Sequence, residues 1–181
     1  MTPTAASLIA TVLTFVLVAL FALWYAVPWM RQRPAATAIA VCLWVHAFRI
    51  VALQIFSARR FGFEIPLAAA HQIAWGDVVG AGLAVLGLIL LRRGAVATVL
   101  VLWLFVIETA LDLVYGSLLG VRYHAIATAH DLTWVILNFY VPVLWGSLAL
   151  VVWQLTTRRT ELVGRANPRT AAEQTVGRPG A

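Results

Sequence analysis

Residues 104–115 read LFVIETALDLVY, and this stretch decides what kind of protein the chain is. It has the length and apolarity of a membrane-crossing helix, yet it carries two acids. Glu108, Asp112 and Tyr115 recur at i, i+4 and i+7 and so share one helical face. An acid at the centre of a membrane helix costs about 2.5–3.5 kcal/mol on insertion scales, so this face is expected to meet protein or trapped water rather than lipid.

The rest of the chain fits that reading. Of the 181 residues, 62% are hydrophobic and 11% charged, the balance of a polytopic membrane protein. Apolar runs at roughly 6–29, 35–57, 66–91, 94–118 and 126–153 each approach the ~20 residues a bilayer needs. The expected fold is therefore an all-α integral membrane protein with about five transmembrane helices. Residues 1–156 form the transmembrane domain. Residues 157–181, rich in Arg, Thr, Pro, Gly and Ala, are expected to form a disordered cytoplasmic tail.

All 13 basic residues are arginine, and their distribution orients the chain. Arg31, Arg33, Arg92, Arg93, Arg158, Arg159, Arg165 and Arg169 fall on one side, against Arg59, Arg60 and Arg122 on the other. The positive-inside rule then places the N-terminus outside and the C-terminus in the cytoplasm. The arginine-only usage points to a bacterium, and hence to an inner membrane. The net charge of +6 follows from this topology and suits anionic lipid; nucleic acid is excluded as its meaning. Cys42 is alone, which excludes an internal disulfide and a cysteine metal cluster.

Polar residues recur at matching depth in the other spans. His46 and Arg49 are neighbours on span two, and an arginine so deep requires a carboxylate partner. Span three carries His71, Gln72 and Asp77, with a G-x-x-x-G pattern at Gly76 and Gly80 that allows close approach of a neighbour. Span five carries His130 and Asp131, with Asp131, Trp134 and Asn138 on one face, and Pro142 as a source of kinking. With spans two and four running outward and three and five inward, these residues converge on the outer half of the bilayer. Residues 70–75 (AHQIAW) and 129–134 (AHDLTW) match, and the same offset sets Arg49 against Glu108, so spans two–three and four–five form a candidate parallel repeat.

Four carboxyls (Asp77, Glu108, Asp112 and Asp131) thus face one permanent cation, Arg49. Either an acid keeps its proton, the histidines are protonated, or a cation binds. The leading expectation is a pocket that binds a small lipophilic ligand and acts on it by acid–base chemistry, as an isomerase or cyclase would. Glu108, Asp112 and Asp131 are the candidate catalytic acids. Arg49, His46, His71, Asp77, Tyr115, His130, Trp134 and Asn138 are the candidate binding residues.

The Glu108-Thr109 pair, with Asn138 followed by Pro142, resembles the sterol-isomerase (emopamil-binding) group of membrane proteins. The likeness covers those few residues. An acid one turn after the span-two histidine, which the group would carry, is absent at that position.

Three other readings stay open. A proton-coupled transporter would use the titratable groups as a relay and would need a homodimer to build a wide enough path. A b-type haem protein would use His71 and His130, and a metal site would use those histidines with Asp112 and Asp131. A structural accessory subunit would need the buried charges only to hold its helices in register. No spacing is diagnostic of a metal, so no metal ligand or cofactor is assigned; the expected partners are the bilayer and the small ligand.

Overall fold

The structure, a computed structural model, describes residues 2–166. It contains helices and turns, with no strand among the described residues. Five helices are long and apolar enough to cross a membrane: α1 (Thr4–Arg31), α2 (Ala35–Arg60), α3 (Leu67–Arg93), α4 (Thr98–Arg122) and α5 (Asp131–Leu162). Their outward faces carry large apolar side chains such as Trp24, Trp75, Leu111 and Val121, each more than three-fifths exposed. Such a surface is tolerable only in hydrocarbon. The chain is a membrane protein.

The punctuation is chemical. Pro34 and Pro66, both in extended geometry, precede α2 and α3, where a missing N–H costs nothing, and their carbonyls accept the first helical bonds. Gly94 ends α3 in the left-handed region (φ +61°), with its amide bonded back to Leu90.

Helices α2, α3, α4 and α5 pack in a ring, α2 against α3 and α5, and α4 against α3 and α5. Helix α1 lies outside this ring against α5, which explains why it is the least buried span. Ile39, Leu43, Leu102, Phe105, Val151 and Leu155 are fully enclosed in the ring's apolar half.

Three helices are irregular, and each irregularity has a local cause or a local consequence. In α1 and α5 a π-turn (Ala22–Ala26 and Ile136–Tyr140) stands just before a proline, Pro28 and Pro142. A proline inside a helix clashes with the carbonyl four residues back, here Trp24 and Asn138, and a widened turn relieves the clash. In α2, residues Phe48–Gln54 form a tightened 3-10 segment, unusually long for that geometry.

The fifth helix starts later and ends later than its hydropathy suggests. Residues Ala125–Thr128 form a separate turn, His130 is extended, and Asp131 sits at φ +49°, so the helix starts at Asp131 rather than near 126. At the other end the backbone leaves helical geometry at Arg158 (φ −132°), and after this kink a further helical stretch runs to Ala166, into the part expected to be tail. Arg158 and Glu161 account for this. Arg158 donates to the carbonyls of Met30 and Arg33 and pairs with Glu161 at 2.6 Å, and Glu161 accepts the Ala35 amide at 3.1 Å. One ion pair thereby caps α2 and ties the end of α5 to the α1–α2 turn. The remaining expected tail, 167–181, lies outside the described residues.

Candidate functional site: an ion cluster at the end of an apolar cavity

Arg49 is the largest fully buried side chain in the protein's described part. It enters from the 3-10 segment of α2. Its Nε donates to Asp77 of α3 at 2.7 Å, one terminal nitrogen donates to Asp112 of α4, and the other donates to the Thr109 hydroxyl at 3.2 Å. Glu108 stands at the edge of the cluster, 4.0 Å from the guanidinium, and accepts from Thr109 at 3.2 Å. Three carboxylates thus surround one guanidinium, whose planar fork satisfies two of them directly.

The cluster fits because α3 carries glycine where the charges need room. A methyl group on Gly76 would collide with the Asp112 carboxyl. One on Gly80 would collide with the Arg49 guanidinium and come within 2.9 Å of Glu108. The G-x-x-x-G pattern is therefore a socket for an ion cluster inside one chain, with side chains where the motif usually admits a neighbouring backbone.

Asp77 and Asp112 form one end of a cavity of about 270 Å³. Its walls are mainly apolar, with Ile55, Phe63, Ile73, Leu113, Ile136, Leu137 and Leu144 among the lining residues. All five helices contribute. Several other polar groups on the wall have partners within the protein: Gln54 pairs with Thr133 at 3.1 Å, and the Tyr140 hydroxyl donates to the Val45 carbonyl at 2.6 Å. The two aspartates are the charged groups on the wall.

The other candidate residues are distributed elsewhere. Tyr115 shares the face of Glu108 and Asp112, and its hydroxyl donates to Gln72 of α3 at 3.1 Å, on the exposed side. His46 is fully buried 2.9 Å from Ser147 of α5, edge-on to Phe105, and lines no part of the cavity. His71 packs on Phe56, and His130 pairs with Asp131 at 3.1 Å, with the Asp131 side chain 92% exposed. Trp134 and Asn138 do share a face, and it meets α1: the indole donates to Ser7 at 2.7 Å, and Asn138 accepts from Thr11 at 2.7 Å. From the π-turn, Asn138 also donates to the Trp134 carbonyl of the preceding helical turn at 2.8 Å. Among the described residues, no three His, Cys, Asp or Glu side chains are arranged to hold a metal ion.

Thr109, Gln54, Thr133 and Tyr140 belong to the site or its wall although none carries a charge. Thr109 was detectable in principle, since it lies three residues before Asp112 on the same turn of helix. The Gln54–Thr133 contact joins residues far apart in sequence and left no periodic signal.

The fold and site together define a five-span membrane protein with a charge-headed apolar cavity between its helices. The chain belongs to the family described as Domain of unknown function (DUF8737), whose model matches residues 6–156. No curated protein and no solved structure matches it.

Proposed function

We propose that the cavity binds a small lipophilic molecule that presents a hydrogen-bond donor or a positive charge to Asp77 and Asp112. The observation that carries this reading is the union of an apolar cavity of about 270 Å³ with two carboxylates at one end, held by a buried arginine. A cavity of about 150 Å³ encloses benzene, so this volume suits on the order of ten heavy atoms. The charge balance sets the polarity of the ligand: Arg49 can neutralise one of the three acids, so a proton or a cationic group is favoured beside the others.

Acid–base chemistry on the bound molecule is the finer version of this reading. It would use Asp112 and Asp77 as the groups that exchange a proton, with Glu108 and Thr109 holding Arg49 in place. Asp131, expected as a catalytic acid, and His130, expected as a binding residue, line no part of the cavity, so the geometry favours binding as the primary role. The orientation that best suits the arginines puts the N-terminus outside a bacterial inner membrane and the C-terminus in the cytoplasm.

The test is mass spectrometry of the detergent-purified protein after mild release, comparing wild type with Gly116→Leu. Gly116 lines the cavity and has open space where a side chain would project. The four added carbons would take about a third of the volume. Wild type should carry a small molecule near stoichiometry, or take one up from a lipophilic mixture, and Gly116→Leu should not. Equal retention by both proteins would remove the cavity from the account.

A further inference from the structure

We propose that the groove between α1 and α5 holds one acyl chain of an anionic phospholipid, with its phosphate seated on Arg31. The groove is separate from the charged cavity, although Phe15 and Trp145 border both. Its volume is about 540 Å³. At the packing of benzene in a cavity of about 150 Å³, that is room for about twenty heavy atoms, the size of one acyl chain with part of its ester. Along α1 it runs from Phe15 to Arg31, about 24 Å at 1.5 Å per residue. One leaflet's hydrocarbon is about 15 Å deep, so a chain entering at the Arg31 end is accommodated over its whole length.

The lining row on α1 aligns the head contact with the chain contact. Phe15, Val18, Ala19, Ala22 and Leu23 line the groove, followed by Val27 and Arg31. Ala19, Leu23, Val27 and Arg31 follow at four-residue steps across the π-turn Ala22–Ala26, so one side of α1 leads from the apolar wall to a guanidinium at the mouth of the groove.

Arg31 is exposed and lies over the Trp153 ring at 5.9 Å, which holds its guanidinium beside the groove. Among the described residues no carboxylate is within ion-pair distance of it. A phosphate would supply the missing counter-charge in a bidentate geometry. The floor is closed where Gly146 of α5 meets Val18, a contact that leaves no room for a methyl group on the glycine.

The experiment is native mass spectrometry of the full chain in detergent, titrated with phosphatidylglycerol and, separately, phosphatidylcholine of identical chains. Wild type should retain one phosphatidylglycerol in preference to phosphatidylcholine by about fivefold, the factor a single arginine near an anionic headgroup supplies. Arg31→Gln should abolish the preference, and Arg31→Lys should keep part of it. Ala149→Phe, which fills the groove from α5, should reduce retention of both lipids. Inorganic phosphate at millimolar concentration should not displace the lipid. Equal retention of the two lipids, an unchanged preference in Arg31→Gln, displacement by phosphate alone, or a lipid-free dimer covering this face would each overturn the proposal. None of these outcomes bears on the cavity headed by Asp77 and Asp112, whose blocking variant Gly116→Leu lies outside the groove.

Discussion

Replacing Arg49 by methionine keeps much of the side chain's length and removes the only cation in the cluster. Two charge-assisted hydrogen bonds, to Asp77 at 2.7 Å and to Asp112, are lost, and Asp77, Asp112 and Glu108 are left facing one another. At about 1.5–3 kcal/mol for each charged hydrogen bond the loss is about 3–6 kcal/mol. Breaking a buried ion pair from one side costs about 3–5 kcal/mol by the independent route of mutational experience. The two routes agree, so Arg49→Met should lower unfolding free energy in mixed micelles by about 3–5 kcal/mol. The same logic predicts rescue. In Arg49→Met/Asp77→Asn/Asp112→Asn the stranded charges are gone, and about 2 kcal/mol or more should return, because neutral replacement of a whole buried ion group is often tolerated. The assay is reversible unfolding by a denaturing detergent, read through helical circular dichroism, for the wild type, the single variant, the double aspartate variant and the triple. If the aspartate substitutions cost the same in the Arg49→Met background as in wild type, the three residues are not coupled, and the cluster does not work as described.

The glycine socket gives a paired test. Gly80→Ala should destabilise by about 1–3 kcal/mol through overpacking against Arg49, whereas Gly82→Ala, which meets open space on the same helix, should be neutral or gain up to about 1 kcal/mol from helix propensity; thermal unfolding of the two variants separates the outcomes. At the end of α5, Glu161→Ala removes the acceptor of the Ala35 amide and the partner of Arg158. This pair is partly exposed, so a loss of about 0.5–1 kcal/mol is expected, together with faster hydrogen exchange at the first turn of α2.

The helices were legible in the sequence because each long apolar run is bounded by proline, glycine or arginine. The face of α4 was legible for the same kind of reason: α4 is regular, so Glu108, Asp112 and Tyr115 do turn together towards α3, and the demand of Arg49 for carboxylates is met there. What periodicity could not supply is the relative rotation of helices whose winding changes. Asp131 belongs on paper to the face of Trp134 and Asn138, but its left-handed backbone at φ +49° turns it outwards before that face begins. His46 and Arg49 remain near one another on α2 but serve different partners: the histidine meets Ser147 of α5, and the arginine meets α3 and α4. The matched segments 70–75 and 129–134 adopt different backbones, one inside a regular helix and the other across an extended residue and a helix start. Gly76 and Gly80 were visible as small residues, but only the fold says that they make room for charge.

The central claim is that Asp77 and Asp112 head a ligand cavity and select a donor or cation. It is tested most directly by titrating the purified protein with three molecules that share one ten-carbon cage, 1-adamantylamine, 1-adamantanol and adamantane-1-carboxylate, each of on the order of ten heavy atoms as the cavity volume requires. Calorimetry should give the order amine, then alcohol, then carboxylate, with Asp112→Asn weakening the amine about tenfold or more through loss of a charged hydrogen bond. Binding of the carboxylate as tight as the amine, or an amine affinity that Asp112→Asn leaves unchanged, would contradict the account.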